Sequence, residues 1–281
     1  MKLGITGATG QLGRLVVEKL KQRVNAGNLV ALVRSPEKAA DLGIEARNFD
    51  YTKPETLTEG LKGIDHLLLI SASEVGQRIT QHQNIIRAAE TAGVKWIVYT
   101  SLLHADTSTL SLAEEHIETE KLLKESGIPY TILRNGWYTE NYTGSVHGAL
   151  STGAFVGSAG EGKISSATRE DFAEAAAIVF SGEGHVGKVY ELAGDEAYTL
   201  KDLAAEISKQ TGKTIPYNNL SEAEYAQVLS SVGLPEGLAQ AYAGFDTGAA
   251  KGDLFDDSKA LSKLLGRPTT SLSDAVKKAL A

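Results

Sequence analysis

Three glycines near the start of the chain have the spacing and position of a phosphate-binding turn. Gly7, Gly10 and Gly13 lie in the segment GITGATGQLG, which begins within the apolar run Leu3–Ile5. A glycine-rich turn between a strand and a helix binds a dinucleotide, because glycine permits the tight turn and lets the pyrophosphate approach backbone N–H groups. The spacing G-x-x-G-x-x-G differs from the usual G-x-G-x-x-G, so a turn without a ligand is the alternative interpretation. The absence of G-K-[ST] argues against a P-loop nucleotidase.

The end of the second apolar run indicates which dinucleotide would bind. The segment LVALVRSPEK places Arg34 where NAD-binding proteins usually carry an acidic residue for the ribose 2′-hydroxyl. A guanidinium matches a 2′-phosphate bidentately, so Arg34 favours NADP(H), with a solvated surface arginine as the alternative. Asp50, at the end of the third run in ARNFDY, is a candidate for the adenine edge, although an aspartate there also commonly caps a turn.

Alternating apolar runs and helical periodicities predict the elements that position these residues. Nearly continuous apolar runs such as DHLLLIS and KWIVYTS are typical of central parallel strands covered on both faces. The predicted strands are Lys2–Thr6, Leu29–Val33, Ala46–Phe49, His66–Ile70, Trp96–Thr100 and Tyr130–Leu133. The predicted helices are Leu12–Val24, Pro36–Leu42, Pro54–Leu61, Gln77–Ala92 and Leu112–Ser126. This alternation predicts a doubly wound α/β Rossmann fold, with the glycines between its first strand and first helix.

The regular alternation loosens beyond residue 134. Helical segments predominate there, at Arg169–Phe180, Leu200–Gln210, Ser221–Val232, Pro235–Tyr242, Ser258–Leu265 and Leu272–Leu280, with one strand at Val189–Leu192. We therefore predict a dinucleotide-binding Rossmann core over residues 1–134 and a smaller, mostly helical substrate-binding part over residues 135–281. Some segments of the second part can return to the core.

Composition restricts the class of protein. The chain has 281 residues, a net charge of −7 and no cysteine. The negative charge argues against nucleic-acid binding, and the missing cysteines exclude disulfides and thiolate nucleophiles. The six histidines lack an H-x-x-x-H or clustered carboxylate pattern, so we expect no catalytic metal. Without a signal-peptide pattern or an apolar membrane span, a cytoplasmic protein is expected, with no membrane insertion.

Several motifs resemble one family. The segment TGATGQLG, Arg34 and YTSLLHA are similar to the NmrA-like family of atypical short-chain dehydrogenases. Longer stretches, LLLISASEVGQR, HIETEKLLKESGIPYTILRNGWYTENY and LFDDSKALSKLLG, resemble its bacterial quinone-reducing members along the whole chain. The resemblance implies a Rossmann fold and two-electron reduction of a small quinone by NADPH, with the nicotinamide over a cleft between the two parts.

The resemblance also implies a set of cofactor contacts beyond the strand ends. They are Gly7, Ala8, Thr9, Gly10, Gln11 and Leu12 in the phosphate turn, and Arg34 at the 2′-phosphate. The loop with Ser71, Ser73, Glu74, Val75 and Gly76 and the segment with Tyr138, Thr139, Glu140, Asn141, Tyr142 and Thr143 would flank the ribose and nicotinamide. Arg169 is a further candidate, and Trp137 belongs either to a packed aromatic corner or to the site.

The family's usual acid is missing. Short-chain dehydrogenases pair a serine with Tyr-x-x-x-Lys, whereas the corresponding segment here reads EEHIETEK, with His116 and Glu120 at the Tyr and Lys positions. Ser101 matches the serine. His116 is the candidate proton donor because imidazole titrates near neutrality, and a structural histidine is the alternative. The mixed charges of LAEEHIETEKLLKE predict a mostly solvated helix face.

Two classes of function follow from these residues. One is an NADPH-dependent quinone reductase, since a quinone accepts two electrons without a strong acid. The other is a regulatory protein that senses NADP(H) and turns nothing over. The sequence leaves the oligomeric state open between a monomer and a homodimer.

Overall fold

Parallel strands and surrounding helices form the fold of residues 1–74 and 76–281, which the computed structural model describes. The strands are β1 (Leu3–Thr6), β2 (Leu29–Val33), β3 (Glu45–Asn48), β4 (His66–Leu69), β5 (Trp96–Leu102), β6 (Tyr130–Asn135), β7 (Phe155–Gly157), β8 (Val189–Leu192) and β9 (Tyr217–Asn219). Seven of them form one sheet in the order β3-β2-β1-β4-β5-β6-β8, and β7 pairs with β9 in a second sheet. Val75, a predicted cofactor contact, lies outside the described residues.

Helices connect the strands. They are α1 (Gln11–Lys21), α2 (Pro54–Gly60), α3 (Arg78–Ala92), α4 (Ala113–Glu125), α5 (Glu140–Thr143), α6 (Val146–Thr152), α7 (Arg169–Ser181), α8 (Leu200–Thr211), α9 (Glu222–Ser231), α10 (Glu236–Lys251), α11 (Ala260–Leu265) and α12 (Leu272–Leu280). The predicted helix at Pro36–Leu42 is a 3₁₀ helix. The predicted doubly wound α/β architecture is confirmed.

The apolar composition of the central strands explains their place in the sheet. Every residue of β1, β2 and β5 is buried, as expected for parallel strands covered on both faces. β1 pairs in parallel with β2 on one side and with β4 on the other. The strand order therefore reverses between β1 and β4, which is where open α/β sheets bind their ligands beyond the strand ends.

The chain divides into two compact units. The first contains Met1–Ala105, Glu114–Asn135 and Arg169–Tyr190, and the second contains Asp106–Ala113, Gly136–Thr168 and Glu191–Ala281. The chain thus passes between the units more often than the single predicted boundary after residue 134 implies. Within the first unit α7 packs against α1, where Lys19 Nζ lies 2.8 Å from Glu170 Oε1.

The second unit is mostly helical and contains a small sheet that was not predicted. Its parallel pair β7 and β9 aligns Phe155 with Tyr217 and has only three residues in each strand, too few for a sequence signal. Helix α8 begins with a capping box in which Thr199 and Asp202 satisfy each other's backbone N–H groups. Among the described residues, no helix combines the length and apolar character needed to cross a membrane.

Candidate cofactor site

The turn between β1 and α1 requires glycine for steric reasons. Gly7 has a φ of +60°, in the left-handed region, and its carbonyl oxygen accepts a 2.9 Å hydrogen bond from Gly10 N. At Gly13 a Cβ would overlap the carbonyl oxygen of Gly7 and lie 2.8 Å from Ala8 Cα. The glycine spacing therefore closes the turn and brings the first turn of α1 against the end of β1.

This turn presents the positive end of α1 to a ligand. The helix begins at Gln11, its N-cap is Gly10, and its first turn contains no acidic residue. The first N–H groups of a helix lack acceptors within the helix, so they attract an anion. Gln11 is exposed, whereas Ala8 and the Leu12 side chain are buried, which limits these two to backbone contacts. The cradle fits the pyrophosphate of a dinucleotide.

The loop after β4 begins beside this turn, where the strand order reverses. Ile70 N donates a 2.9 Å hydrogen bond to Thr6 Oγ1 of β1. Ser71 N donates one of the same length to Thr100 Oγ1 of β5. The end of β4 is therefore tied to both neighbouring strands, and the loop that follows starts from a rigid position.

Buried polar side chains of α3 and α4 bind this loop at Ala72 and Gly76. Arg78 donates from Nε to the Ala72 carbonyl at 2.9 Å and from Nη1 to Glu115 Oε2 at 2.7 Å. The other Glu115 oxygen accepts from Gly76 N at 2.9 Å, and His82 Nε2 accepts from Ala72 N at 3.0 Å. Burial and the Arg78 charge lower the pKa of His82 to about 3, so the imidazole is neutral and can accept this bond.

Arg34 lies directly after β2, with a side chain that is 71% exposed. Its Nη1 lies 3.2 Å from Glu74 Oε1, and Asn48 Nδ2 donates to its carbonyl oxygen at 2.8 Å. The other Glu74 oxygen accepts from Gln81 Nε2 at 2.8 Å. A 2′-phosphate at Arg34 would therefore share the guanidinium with the Glu74 carboxylate.

Asp50 caps a turn, which was the alternative to its predicted role at the adenine. Its Oδ1 accepts from Thr52 N at 3.0 Å and from Thr52 Oγ1 at 2.8 Å. The hydrogen bond from Thr52 N lowers the pKa of Asp50 below its usual value, so the carboxylate stays charged. Contact with an adenine remains a prediction.

His116 is buried within the first unit and does not have the surroundings of an acid. It is 5% exposed, and its Nδ1 lies 2.7 Å from the Tyr99 hydroxyl. Burial, followed by the positive charge of Arg78, lowers the pKa of His116 well below its usual value. A neutral imidazole lacks the second proton that the predicted role of general acid requires at neutral pH.

Ser101 belongs to a hydrogen-bonded polar group at the ends of β5 and β6. Its hydroxyl donates a 2.6 Å hydrogen bond to Glu120 Oε1. Arg134 binds the same carboxylate from two nitrogens, at 3.0 Å from Nε to Oε1 and 2.8 Å from Nη2 to Oε2. Glu120 therefore stands at the lysine position as one half of an ion pair.

In the second unit, the predicted segment of residues 138–143 includes the short helix α5. Thr139 N donates to the Ala167 carbonyl at 2.9 Å, and its hydroxyl lies 2.8 Å from Ser166 Oγ. The side chains of Thr139, Tyr142 and Thr143 are buried in this packing. Tyr138, Glu140 and Asn141 are half-buried, so of the six predicted contacts these three retain accessible side chains.

The structure also locates Arg169 and Trp137, the two remaining candidates from the sequence. Arg169 is half-buried and begins α7 of the first unit. Trp137 is 9% exposed and meets Phe245 edge to face, with 5.2 Å between the ring centroids, as the aromatic-corner alternative describes. In the part of the chain that the structure describes, no three His, Cys, Asp or Glu side chains are grouped to hold a metal ion.

Comparison with known proteins identifies the family of the chain. Residues 7–181 match the family described as NAD(P)H-binding. The chain belongs to this family. Quinone oxidoreductase 2 of Escherichia coli is 61% identical to the chain over 277 residues, covering 98% of the chain and 97% of that protein. An NmrA-like family domain-containing oxidoreductase of Aspergillus flavus is 29% identical over 100% of the chain and 95% of its own length.

A solved structure matches this NAD(P)H-binding protein over its whole length. The crystal structure of NADPH-dependent quinone oxidoreductase from E. coli, in complex with NADPH, has a TM-score of 0.97 and 60% identity, covering 99% of this chain and 100% of that chain. The predicted resemblance to the NmrA-like family and its bacterial quinone-reducing members is confirmed.

Three residues with a clear structural role in the site were missed by the sequence analysis. Arg78, His82 and Glu115 hold the loop after β4, yet they follow no motif. Glu115 and Glu120 lie in the charge-rich stretch predicted to be a mostly solvated helix face, and that prediction is wrong for both. Their side chains are each 11% exposed because arginines from α3 and β6 pair with them. Distant partners of this kind leave no local signal.

Proposed function

We propose that this chain is an NADPH-dependent oxidoreductase that reduces small quinones by two electrons. The observation that carries the proposal is its 61% identity, over nearly its whole length, to a quinone oxidoreductase of E. coli. When bound, NADPH supplies a hydride, and with one proton from solvent it converts the quinone to the quinol and leaves NADP⁺.

The chain's own residues bind and orient the two reactants. The N–H groups at the start of α1 bind the pyrophosphate, and Arg34 binds the 2′-phosphate. The loop after β4, held by Arg78 and Glu115, would support the ribose and nicotinamide. Holding both reactants in contact removes much of the entropic barrier, so positioning supplies most of the acceleration.

The polar groups at the position of the usual acid support a quinone as the acceptor. Glu120 is engaged by Arg134 and Ser101, and His116 is neutral and buried. Transfer to a simple ketone creates an alkoxide, which needs an acid or an oxyanion donor in place. Transfer to a quinone creates an aromatic oxyanion, which takes its proton from water.

The second candidate is a regulatory protein that binds NADP(H) without turnover. The observation that favours it is the absence of the usual acid: a neutral, buried histidine stands at the tyrosine position, and a glutamate in an ion pair stands at the lysine position. The phosphate turn and Arg34 would serve this function equally well.

The deciding experiment follows NADPH absorbance with the purified protein and three acceptors: benzoquinone, a simple ketone and an aldehyde. Of the three acceptors, we expect only benzoquinone to support NADPH oxidation. Its rate should exceed the rate of the same mixture without protein. Binding of NADPH in a fluorescence titration, without oxidation by any acceptor, would favour the regulatory protein. Rapid ketone reduction would contradict the argument from the missing acid.

A further inference from the structure

Asp246 is a buried carboxylate that joins three segments of the second unit. It lies on α10 and is 3% exposed. Its Oδ1 accepts a 3.1 Å hydrogen bond from the Tyr142 hydroxyl of α5. Its Oδ2 accepts a 2.8 Å hydrogen bond from Ser158 N, directly after β7. The side chain therefore ties the segment of residues 138–143 to α10 and to the small sheet.

The surroundings are shaped for this carboxylate. A Cβ on Gly157 would lie 2.8 Å from Asp246 Oδ2, so glycine leaves the space that the carboxylate occupies. Among residues 1–74 and 76–281, Asp246 makes no ion pair with a cation, and the titratable groups near it are phenols. These are Tyr142 of α5, Tyr217 of β9 and Tyr225 of α9, with Tyr242 on α10 itself.

Burying a carboxylate without a cation is costly, so a neutral residue of similar shape would suit stability better. Burial raises the pKa of Asp246 to about 6, against hydrogen bonds from Ser158 N and Tyr142 that lower it. The pKa values of Tyr142, Tyr217 and Tyr225 are all raised, so these phenols stay protonated. Asp246 is thus the group of this cluster that changes charge near neutral pH.

We propose that Asp246 is a positioning residue whose ionised form holds the segment of residues 138–143 in the geometry that binds NADPH. The inference rests on the proposed function and on the family resemblance, which implies that this segment flanks the ribose and nicotinamide of NADPH. As a carboxylate, Asp246 accepts from both donors. Protonation places a hydrogen on a carboxyl group that already accepts hydrogen bonds from two donors. Ser158 N–H belongs to the backbone and can only donate. Only the Tyr142 hydroxyl can rotate, so protonation changes the contact that holds α5.

Trp137 reports on this contact without any turnover. It precedes the segment by one residue, and its ring meets Phe245, the neighbour of Asp246, at a centroid distance of 5.2 Å. The chain has two tryptophans, Trp96 and Trp137. In a Trp96→Phe background, Trp137 is the single source of tryptophan fluorescence.

The test measures Trp137 fluorescence and the KM for NADPH as the pH is varied through 6. With Asp246 intact, we expect both to change with a midpoint near the pKa of about 6. The KM should be higher on the acid side by at least about fivefold, the lower end of typical coupling between sites, with kcat changing less. Asp246→Asn should abolish the midpoint of the fluorescence recorded without NADPH, a readout that avoids the 2′-phosphate, which itself titrates at about pH 6. Tyr142→Phe should move the fluorescence midpoint to higher pH, because the tyrosine hydrogen bond lowers the pKa of Asp246. It should also keep the KM for NADPH high on both sides of the midpoint, because the contact that holds α5 is lost.

The matched control is Asp274→Asn in the same unit, in the first turn of α12, where the carboxylate accepts a 2.7 Å hydrogen bond from Oγ of the N-cap residue Ser271. It should leave the midpoint and the KM unchanged. A fluorescence midpoint that persists in Asp246→Asn without NADPH, or that does not move in Tyr142→Phe, would overturn the proposal. If Asp246→Asn fails to fold, the direction of the Tyr142→Phe change decides. Should the chain reduce no quinone, the proposed function fails, while fluorescence and NADPH binding still test Asp246.

Discussion

Arg34 is the residue whose contacts can distinguish NADPH from NADH. It directly follows β2, where NAD-binding proteins usually carry an acidic residue, and its side chain is 71% exposed. We expect Arg34→Ala to weaken NADPH binding by about 1.5–3 kcal/mol, the value of a hydrogen bond to a charged group, and to leave NADH binding almost unchanged. Fluorescence titrations with the two cofactors measure the difference. Equal losses would contradict the assignment.

Glu74 provides the reciprocal control, because its Oε1 lies 3.2 Å from Arg34 Nη1 and would compete with the 2′-phosphate for the guanidinium. Glu74→Gln removes a negative charge next to the expected 2′-phosphate. Since both partners are largely exposed, the gain in NADPH binding should be small, about 0.2–1 kcal/mol. NADH binding should not change. Weaker NADPH binding in this variant would mean that Glu74 serves to hold Arg34 in place rather than to compete for it.

The burial of His116 predicts a structural rather than a catalytic effect of mutation. His116→Ala removes a hydrogen-bond partner of the buried Tyr99 hydroxyl, so the free energy of unfolding should fall by about 1–3 kcal/mol. The decrease in kcat with benzoquinone should stay well below the ~10²–10⁴-fold loss expected for a general acid. Chemical denaturation and steady-state kinetics measure the two effects.

Tyr99→Phe removes the same hydrogen bond from the other side and serves as the comparison for His116→Ala. Both variants should lose stability and keep most of their activity. The pH profile of kcat, taken in an Asp246→Asn background, should show no ionisation from His116 near 6.5, because its pKa is far lower. A large loss of kcat in His116→Ala alone, with unchanged stability, would restore the catalytic interpretation.

The strands and most helices could be predicted because their signals are local. Apolar runs predicted β1, β2, β4 and β5 within a few residues of their observed bounds. Helix α10 was predicted to end at Tyr242 but continues to Lys251. The prediction stopped too early because the later turns of the helix are rich in alanine and glycine and show little amphipathic pattern. The buried face of α4 was missed for a different reason. Its glutamates are covered by partners far away in sequence, and local charge patterning predicts a solvated face.

The packing of α1 against the end of β1 depends on Gly13. Gly13→Ala would place a Cβ against backbone atoms of Gly7 and Ala8, which cannot move aside as a flexible side chain can. We expect a loss of about 1–3 kcal/mol in the free energy of unfolding, as for other overpacked sites. NADPH binding should also weaken, because the first turn of α1 must shift. Urea unfolding with and without NADPH measures both effects.

Gly148→Ala is the matched control for Gly13→Ala. Gly148 lies within α6, where an added Cβ meets nothing within 4 Å. In a helix interior, alanine is favoured over glycine by up to about 1 kcal/mol, so this variant should be as stable as the parent or more so. Its NADPH binding should be unchanged. Parent-like cofactor binding by Gly13→Ala would show that the turn tolerates a side chain.

The assignment of segments to the two units depends on packing that leaves no local signal. The predicted helix at Arg169–Phe180 is observed as α7, but only its packing against α1 shows that it belongs with the first unit. Asp246 carried no sequence signal either. It lies in a stretch of small and aromatic residues, and its significance depends on Tyr142 and Ser158, which are about a hundred residues away.

Asp246 also predicts how the stability of the whole protein depends on pH. Its pKa is about 6 in the folded protein, against an ordinary value of 3.8, so the folded state binds more protons between these values. The carboxylate therefore lowers stability progressively as the pH rises from 3.8 to about 6, by about 3 kcal/mol at 1.36 kcal/mol for each pKa unit. Above that range the cost is constant.

The buried histidines act in the opposite direction, so the effect of Asp246 must be measured as a difference. The pKa values of His82 and His116 are lowered, so the unfolded chain binds more protons below 6.5 and stability falls with acid. We expect urea unfolding to show a free-energy gap between Asp246→Asn and the parent that widens as the pH rises from about 4 to about 6 and then stays level. Because both proteins contain the same histidines, their contribution cancels. A gap that does not vary with pH would mean that Asp246 titrates at its ordinary pKa, and the cost assigned to its burial would then be wrong.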